Sequence, residues 1–124
     1  MADRKHLILV IDDDDDVRDT LRLVLEKHGY EMADAASAED GLRQYDARTP
    51  DLIIVDLMME EVDSGTSIVK ELRLRGNEAP VFMLSSVGDA LYGNVAYTDL
   101  GLAGVFQKPI DVATLVTTLE ARLG

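Results

Sequence analysis

The clearest indication of the fold is the segment Leu7-Ile8-Leu9-Val10-Ile11-Asp12-Asp13, in which a fully apolar run passes directly into two carboxylates. Continuous apolarity with β-branched side chains predicts a strand that is buried on both faces, as in a parallel sheet. Further apolar runs predict strands at 52–55, 81–84 and 105–106, and a weaker strand is predicted at 30–35. The chain therefore carries the pattern of a five-stranded buried sheet.

Segments with helical periodicity separate these strands. The first has Val17, Leu21 and Leu25 on one face and is predicted to end at Gly29. The other helices are predicted after Ser37, around 68–72, over 90–100 and after Asp111. The segment 90–100 is poor in helix formers, so the helix there is expected to be short or mobile. Five βα units predict one α/β domain over residues 1–124, a doubly wound parallel sheet of order 2-1-3-4-5 with five flanking helices.

The composition narrows the class of partner. The 124 residues include 12 Lys and Arg against 24 Asp and Glu, which gives a net charge of −12. Such a surface repels nucleic acids and anionic membranes, so we expect no direct nucleic-acid binding and no membrane association. The chain has no Cys, which excludes disulfides and thiol catalysis. No apolar run is long enough for a membrane span or a signal peptide, so a cytoplasmic protein is expected.

Polar residues that interrupt the apolar pattern share one location. Asp12 and Asp13 follow the first strand, Asp56 the third, Ser85 the fourth and Lys108 the fifth. Carboxyl ends of parallel strands meet at one edge, so these side chains are expected to share a crevice. Three carboxylates suit Mg²⁺, which completes its shell with waters and phosphate oxygens. The lysine and the hydroxyl then predict a site for a phosphoryl group, with an aspartate as nucleophile.

The segments LILVIDDD, PDLIIVDLMM, PVFMLSS and VFQKPID, in this order and spacing, resemble the receiver domain of two-component response regulators. The resemblance covers essentially the whole chain and implies a flavodoxin-like fold. It implies that Asp56 accepts the phosphoryl group. It also implies that Mg²⁺ is held by Asp12, Asp13, Asp56 and the backbone carbonyl of Met58.

The same resemblance implies a switch. Ser85 would sense the phosphoryl group, Lys108 would pair with it, and the Lys108–Pro109 peptide bond would be cis. The phosphoryl group would come from a sensor histidine kinase, a histidine phosphotransfer protein or a small phosphodonor. Phosphorylation would shift the surface formed by the predicted fourth helix, the fifth strand and the last helix, which a downstream protein or output domain would read. The protein would catalyse only its own phosphorylation and dephosphorylation.

The sequence departs from the family pattern at several positions. Glu60 stands where the family usually has Pro, and Ser64 is a one-residue insertion before the usual Gly. Val105 stands where an aromatic residue often swings with the hydroxyl residue, while Phe106 is predicted on the opposite face of the strand. Ser86 stands where a small Ala is common. Whether Val105 takes part in switching is therefore left open.

Three other functions fit parts of the sequence. A receiver-like docking scaffold without phosphoryl switching is favoured by the departures and opposed by the complete set of site residues. A flavin or nucleotide binder is disfavoured because the run of aspartates at 12–16 repels phosphate. A magnesium-dependent phosphohydrolase would turn over external substrates. The sequence leaves open whether the protein forms a homodimer. It also leaves open whether the domain stands alone or belongs to a longer regulator or a hybrid kinase.

Overall fold

The structure is a computed structural model that describes residues 5–56, 64–85 and 102–123. Its strands are β1 (Leu7–Ile11), β2 (Glu31–Ala35), β3 (Leu52–Asp56), β4 (Val81–Ser85) and β5 (Gly104–Gln107). Its helices are α1 (Asp15–Lys27), α2 (Ala38–Ala47), α3 (Ser64–Leu74) and α4 (Val112–Leu123). The strands form one parallel sheet in the order β2-β1-β3-β4-β5, which confirms the predicted topology.

Four of the five predicted helices fall within the described residues and are present there. The predicted helix at 90–100 lies outside the described residues, as do Met58, Glu60 and Ser86. Strands β3 and β4 run one residue further than their apolar runs, so Asp56 and Ser85 are the last residues of these strands. The two residues therefore stand directly at the carboxyl edge.

The sheet is buried on both faces, as its apolar strands predict. On one face, alternate strand residues such as Ile8 and Ile54 pack with Leu21 and Leu25 of α1 and with α4. On the other face, the intervening residues pack with α2 and α3. This two-sided burial leaves the strand ends as the place where polar groups can gather.

The helix boundaries follow local capping chemistry. The Asp14 carboxylate accepts a hydrogen bond from the Asp16 N–H and begins α1, and the Ser37 hydroxyl accepts one from the Asp40 N–H and begins α2. Past the end of α1, Gly29 has a φ of +87°, a conformation that residues with a side chain rarely adopt. The predicted caps at Ser37 and Gly29 are confirmed.

No helix among the described residues is long and apolar enough to cross a membrane.

Candidate metal centre at the carboxyl edge of the sheet

Three carboxylates converge where β1 and β3 end. Carboxylate oxygens of Asp12, Asp13 and Asp56 lie within 4.8 Å of one another. Asp12 is completely buried and Asp56 is 3% exposed, whereas Asp13 faces solvent. The predicted convergence of these side chains is therefore present in the structure.

Asp12 is held by its neighbours on two sides. Its backbone N–H donates to the Ala35 carbonyl at 3.0 Å, and its Oδ1 accepts from the Asp14 N–H at 2.8 Å. The other carboxylate oxygen, Oδ2, is buried and faces the Lys108 ammonium without a well-aligned hydrogen bond. A buried carboxylate oxygen requires such a positive charge beside it, from a lysine or from a metal ion.

Lys108 brings a positive charge to the cluster from the end of β5. Its Nζ lies 3.0 Å from Asp12 Oδ2 and 3.5 Å from Asp56 Oδ1, and the Lys108–Pro109 peptide bond is cis, as the resemblance implies. Burial alone would lower the pKa of Lys108, but the contact and charge of Asp12, followed by those of Asp56, outweigh it and raise that pKa. The lysine is thus held in its charged form.

The donor set fits a hard divalent cation. Three carboxylates face one ammonium group, and two of the three are buried, so their mutual repulsion is only partly offset. Mg²⁺ binds through one or two carboxylates and keeps open positions for water and phosphate oxygens. Asp12, Asp13 and Asp56 are the residues that would hold it.

The remaining predicted site residues are only partly described. Ser85 ends β4 and pairs in register with Gln107 of β5, and the structure describes its backbone alone. Met58, the predicted carbonyl ligand, lies outside the described residues. Val105 is 43% exposed and Phe106 is 5% exposed, so the two lie on opposite faces of β5 as predicted.

An ion-pair cluster beside the site was not foreseen from the sequence. Arg18 and Arg22 of α1 both bind the carboxylate of Asp34 on β2. Their spacing of four residues on α1 puts them on one side of the helix, next to its apolar stripe. That spacing was a readable signal, but nothing in it identified Asp34 as the shared acceptor.

A family model, curated relatives and solved structures all match nearly the whole chain. The sequence model described as "Response regulator receiver domain" matches residues 8–120. The chain is 38% identical over 116 residues to the transcriptional regulatory protein AfsQ1 of Streptomyces coelicolor, covering 94% of this chain and 50% of that protein. It is 35% identical over 116 residues to the transcriptional regulatory protein PrrA of Mycobacterium tuberculosis, covering 94% and 49%. The chain thus spans about half the length of the curated relatives it matches.

Two solved structures with the same fold are matched over nearly their full length. A putative response regulator from Chloroflexus aurantiacus superposes with a TM-score of 0.85 at 32% identity, covering 97% of this chain and 98% of that one. The chemotaxis response regulator CheY4 of Vibrio cholerae superposes with a TM-score of 0.84 at 27% identity, covering 97% and 100%.

Proposed function

The chain belongs to the response regulator receiver domain family, and from that premise we propose that it accepts a phosphoryl group on Asp56 in a two-component system. The observation that carries the proposal is the meeting of Asp12, Asp13 and Asp56 with the Lys108 ammonium at one edge of the sheet. A carboxylate nucleophile beside a cation site and a fixed ammonium is the arrangement that phosphoryl transfer requires.

In the proposed reaction, a carboxylate oxygen of Asp56 attacks the phosphorus of a phosphohistidine or a small phosphodonor. The new bond joins that oxygen to phosphorus, and the bond from phosphorus to the donor breaks with its electron pair going to the donor. Lys108 stands 3.5 Å from Asp56 Oδ1 and would balance charge on the phosphoryl oxygens. Bound Mg²⁺ would neutralise further charge on the same oxygens.

We propose that hydrolysis at the same site reverses the modification. A water would attack the phosphorus of the acyl phosphate, releasing inorganic phosphate and restoring the Asp56 carboxylate. Such a protein catalyses only its own phosphorylation and dephosphorylation. Between the two events, Ser85 would respond to the phosphoryl group and shift the surface that includes β5 and α4.

The proposed partners follow from this cycle. A sensor histidine kinase or histidine phosphotransfer protein would donate the phosphoryl group, and a downstream protein or output domain would read the switched surface. The net charge of −12 disfavours direct nucleic-acid binding by this domain. Relatives named as transcriptional regulators are twice as long, so contact with DNA in a larger protein would fall to another domain. We propose a cytoplasmic location for this domain.

Labelling with acetyl phosphate tests the proposal. The protein is incubated with acetyl phosphate and Mg²⁺, and its intact mass is measured. We expect a gain of one phosphoryl group that is lost in EDTA and in Asp56→Asn, while Asp46→Asn, which alters an exposed carboxylate, labels normally. A known receiver domain serves as the positive control for the donor.

Other outcomes would favour the alternatives. No mass gain, under conditions in which the known receiver labels, would overturn the proposal and favour a docking scaffold. Continuous phosphate release from excess p-nitrophenyl phosphate, at many turnovers per protein, would instead indicate a phosphohydrolase.

A further inference from the structure

Arg18 links the first turns of α1 to the edge strand β2. Its side chain is 17% exposed, and its Nη1 donates to Asp34 Oδ2 at 3.1 Å. Its other terminal nitrogen pairs with the Asp15 carboxylate in the first turn of the same helix. The guanidinium therefore joins the start of α1 to a strand that is distant in sequence.

The loop that carries the carboxylates lies between two attachments to β2. Asp34 immediately precedes Ala35, and the Ala35 carbonyl accepts the backbone N–H of Asp12 at 3.0 Å. The backbone at Asp12 is thus tied to the end of β2, and the helix that follows Asp14 is tied to Asp34 through Arg18. Asp13 stands between these two attachments and is exposed, so its position depends on the backbone around it.

A contribution to folding stability does not by itself explain the contacts that Arg18 makes. Arg22, one turn further along α1, already joins the helix to β2, since it binds Asp34 Oδ1 at 2.9 Å and the Met32 carbonyl at 3.2 Å. The Nε of Arg18, in contrast, is buried and finds no acceptor among the described residues. A buried donor without an acceptor costs free energy, which a purely stabilising residue would not be expected to carry.

We propose that Arg18, through its ion pair with Asp34, is a positioning residue that sets the loop bearing Asp12 and Asp13 for Mg²⁺ binding. This inference rests on the proposed function, because that function is the reason to expect Mg²⁺ at the site. Loss of a group that hydrogen-bonds a metal ligand commonly weakens metal binding by about 10- to 100-fold. Arg18 contacts Asp15 and Asp34 and acts one step further from the ligands, so we expect an effect at the low end of that range.

The direction in which Mg²⁺ affinity changes when Arg18 is neutralised distinguishes a positioning role from a purely electrostatic one. Replacing Arg18 with a neutral residue removes a positive charge near an acidic site and leaves Asp15 and Asp34 less compensated. Coulomb attraction alone would then strengthen Mg²⁺ binding. A positioning role requires the opposite, because a loosened loop must be ordered when the cation binds.

The test compares Arg18→Met with Arg22→Met, two equal substitutions that each remove one arginine from the same carboxylate. Mg²⁺ affinity is measured by isothermal titration calorimetry and stability by urea unfolding in EDTA. We expect Arg18→Met to weaken Mg²⁺ binding about tenfold and Arg22→Met to leave it within twofold, although Arg22→Met should lose at least as much stability. Arg18→Lys, which keeps the charge, is expected to recover part of the affinity.

A kinetic readout completes the test. In acetyl phosphate labelling, Arg18→Met is expected to raise the Mg²⁺ concentration for half-maximal rate about tenfold and to reach the wild-type rate at saturating Mg²⁺. Unchanged or tighter Mg²⁺ binding in Arg18→Met, or equal weakening in both variants, would overturn the inference. Failure of the wild-type protein to bind Mg²⁺ or to label would instead count against the proposed function.

Discussion

At the scale of single residues, the site is a balance between buried carboxylates and one ammonium group. Asp12 is completely buried, and Lys108 lies against both Asp12 and Asp56. Removing one partner of a buried ion pair costs more than the pair itself contributes, because an uncompensated charge stays behind. The same reasoning makes Lys108 a competitor of the cation, since both neutralise the same oxygens.

We therefore expect Lys108→Met to lower the free energy of unfolding in EDTA by about 2–3 kcal/mol, less than for a fully buried pair because the lysine side chain is 21% exposed. Mg²⁺ should restore more stability to this variant than to the wild type, because it then neutralises carboxylates that Lys108 no longer pairs. Urea unfolding with and without Mg²⁺ measures both effects. Lys70→Met, on an exposed face of α3, serves as the control. Equal Mg²⁺ effects in variant and wild type would contradict this account.

At the scale of secondary-structure elements, α2 approaches the sheet more closely than an ordinary side chain allows. Gly41 is buried on α2, and a Cβ built there would lie 2.6 Å from Ile11 Cδ1 and 3.2 Å from Ile68 Cδ1. Ile11 is completely buried, so it has little room to move. The close packing of α2 on β1, directly before Asp12, therefore depends on a missing side chain.

Gly41→Ala is expected to destabilise the protein by about 1–2 kcal/mol, because overpacking outweighs the gain of about 1 kcal/mol in helix propensity. Ile11→Val removes Cδ1 but keeps Cγ1, which would lie 2.9 Å from the new Cβ, so the double variant should recover part of that loss. A double-mutant cycle by urea unfolding measures the coupling. Independent, additive effects would show that the helix shifts instead of pressing on Ile11.

The start of α1 depends on a cap and not on charge alone. The Asp14 carboxylate accepts the Asp16 N–H at 2.9 Å, and asparagine can accept the same bond. Asp14→Ala is expected to lower the free energy of unfolding, measured in urea, by about 1 kcal/mol, and Asp14→Asn by only about 0.3 kcal/mol. Equal losses in the two variants would indicate that the charge of Asp14, through the helix dipole, is the larger effect.

At the scale of the whole molecule, the topology was predictable because it depends on patterns that lie close together in sequence. Continuous apolar strands separated by helical stripes predicted the sheet order, and polar residues at strand ends then predicted the convergence of Asp12, Asp13 and Asp56. The cap at Asp14 was hidden within a run of identical residues. The pairing of Arg18 with Asp34 was not predictable, because a contact between distant side chains leaves no periodic trace.

The net charge of −12 should destabilise the fold through repulsion spread over the whole surface. The repulsion among the carboxylates of the metal site is a separate, local effect. Screening acts on both, since the Debye length falls from about 30 Å at 0.01 M salt to about 8 Å at 0.15 M. We expect NaCl to raise the melting temperature of wild type and Asp12→Asn alike. MgCl₂ at matched ionic strength should raise it further in the wild type only, with about 2.7 kcal/mol gained at a hundred times the dissociation constant. If Asp12→Asn responded to MgCl₂ as the wild type does, Mg²⁺ would be acting through the general acidic surface, and the buried Asp12 carboxylate would not be its ligand.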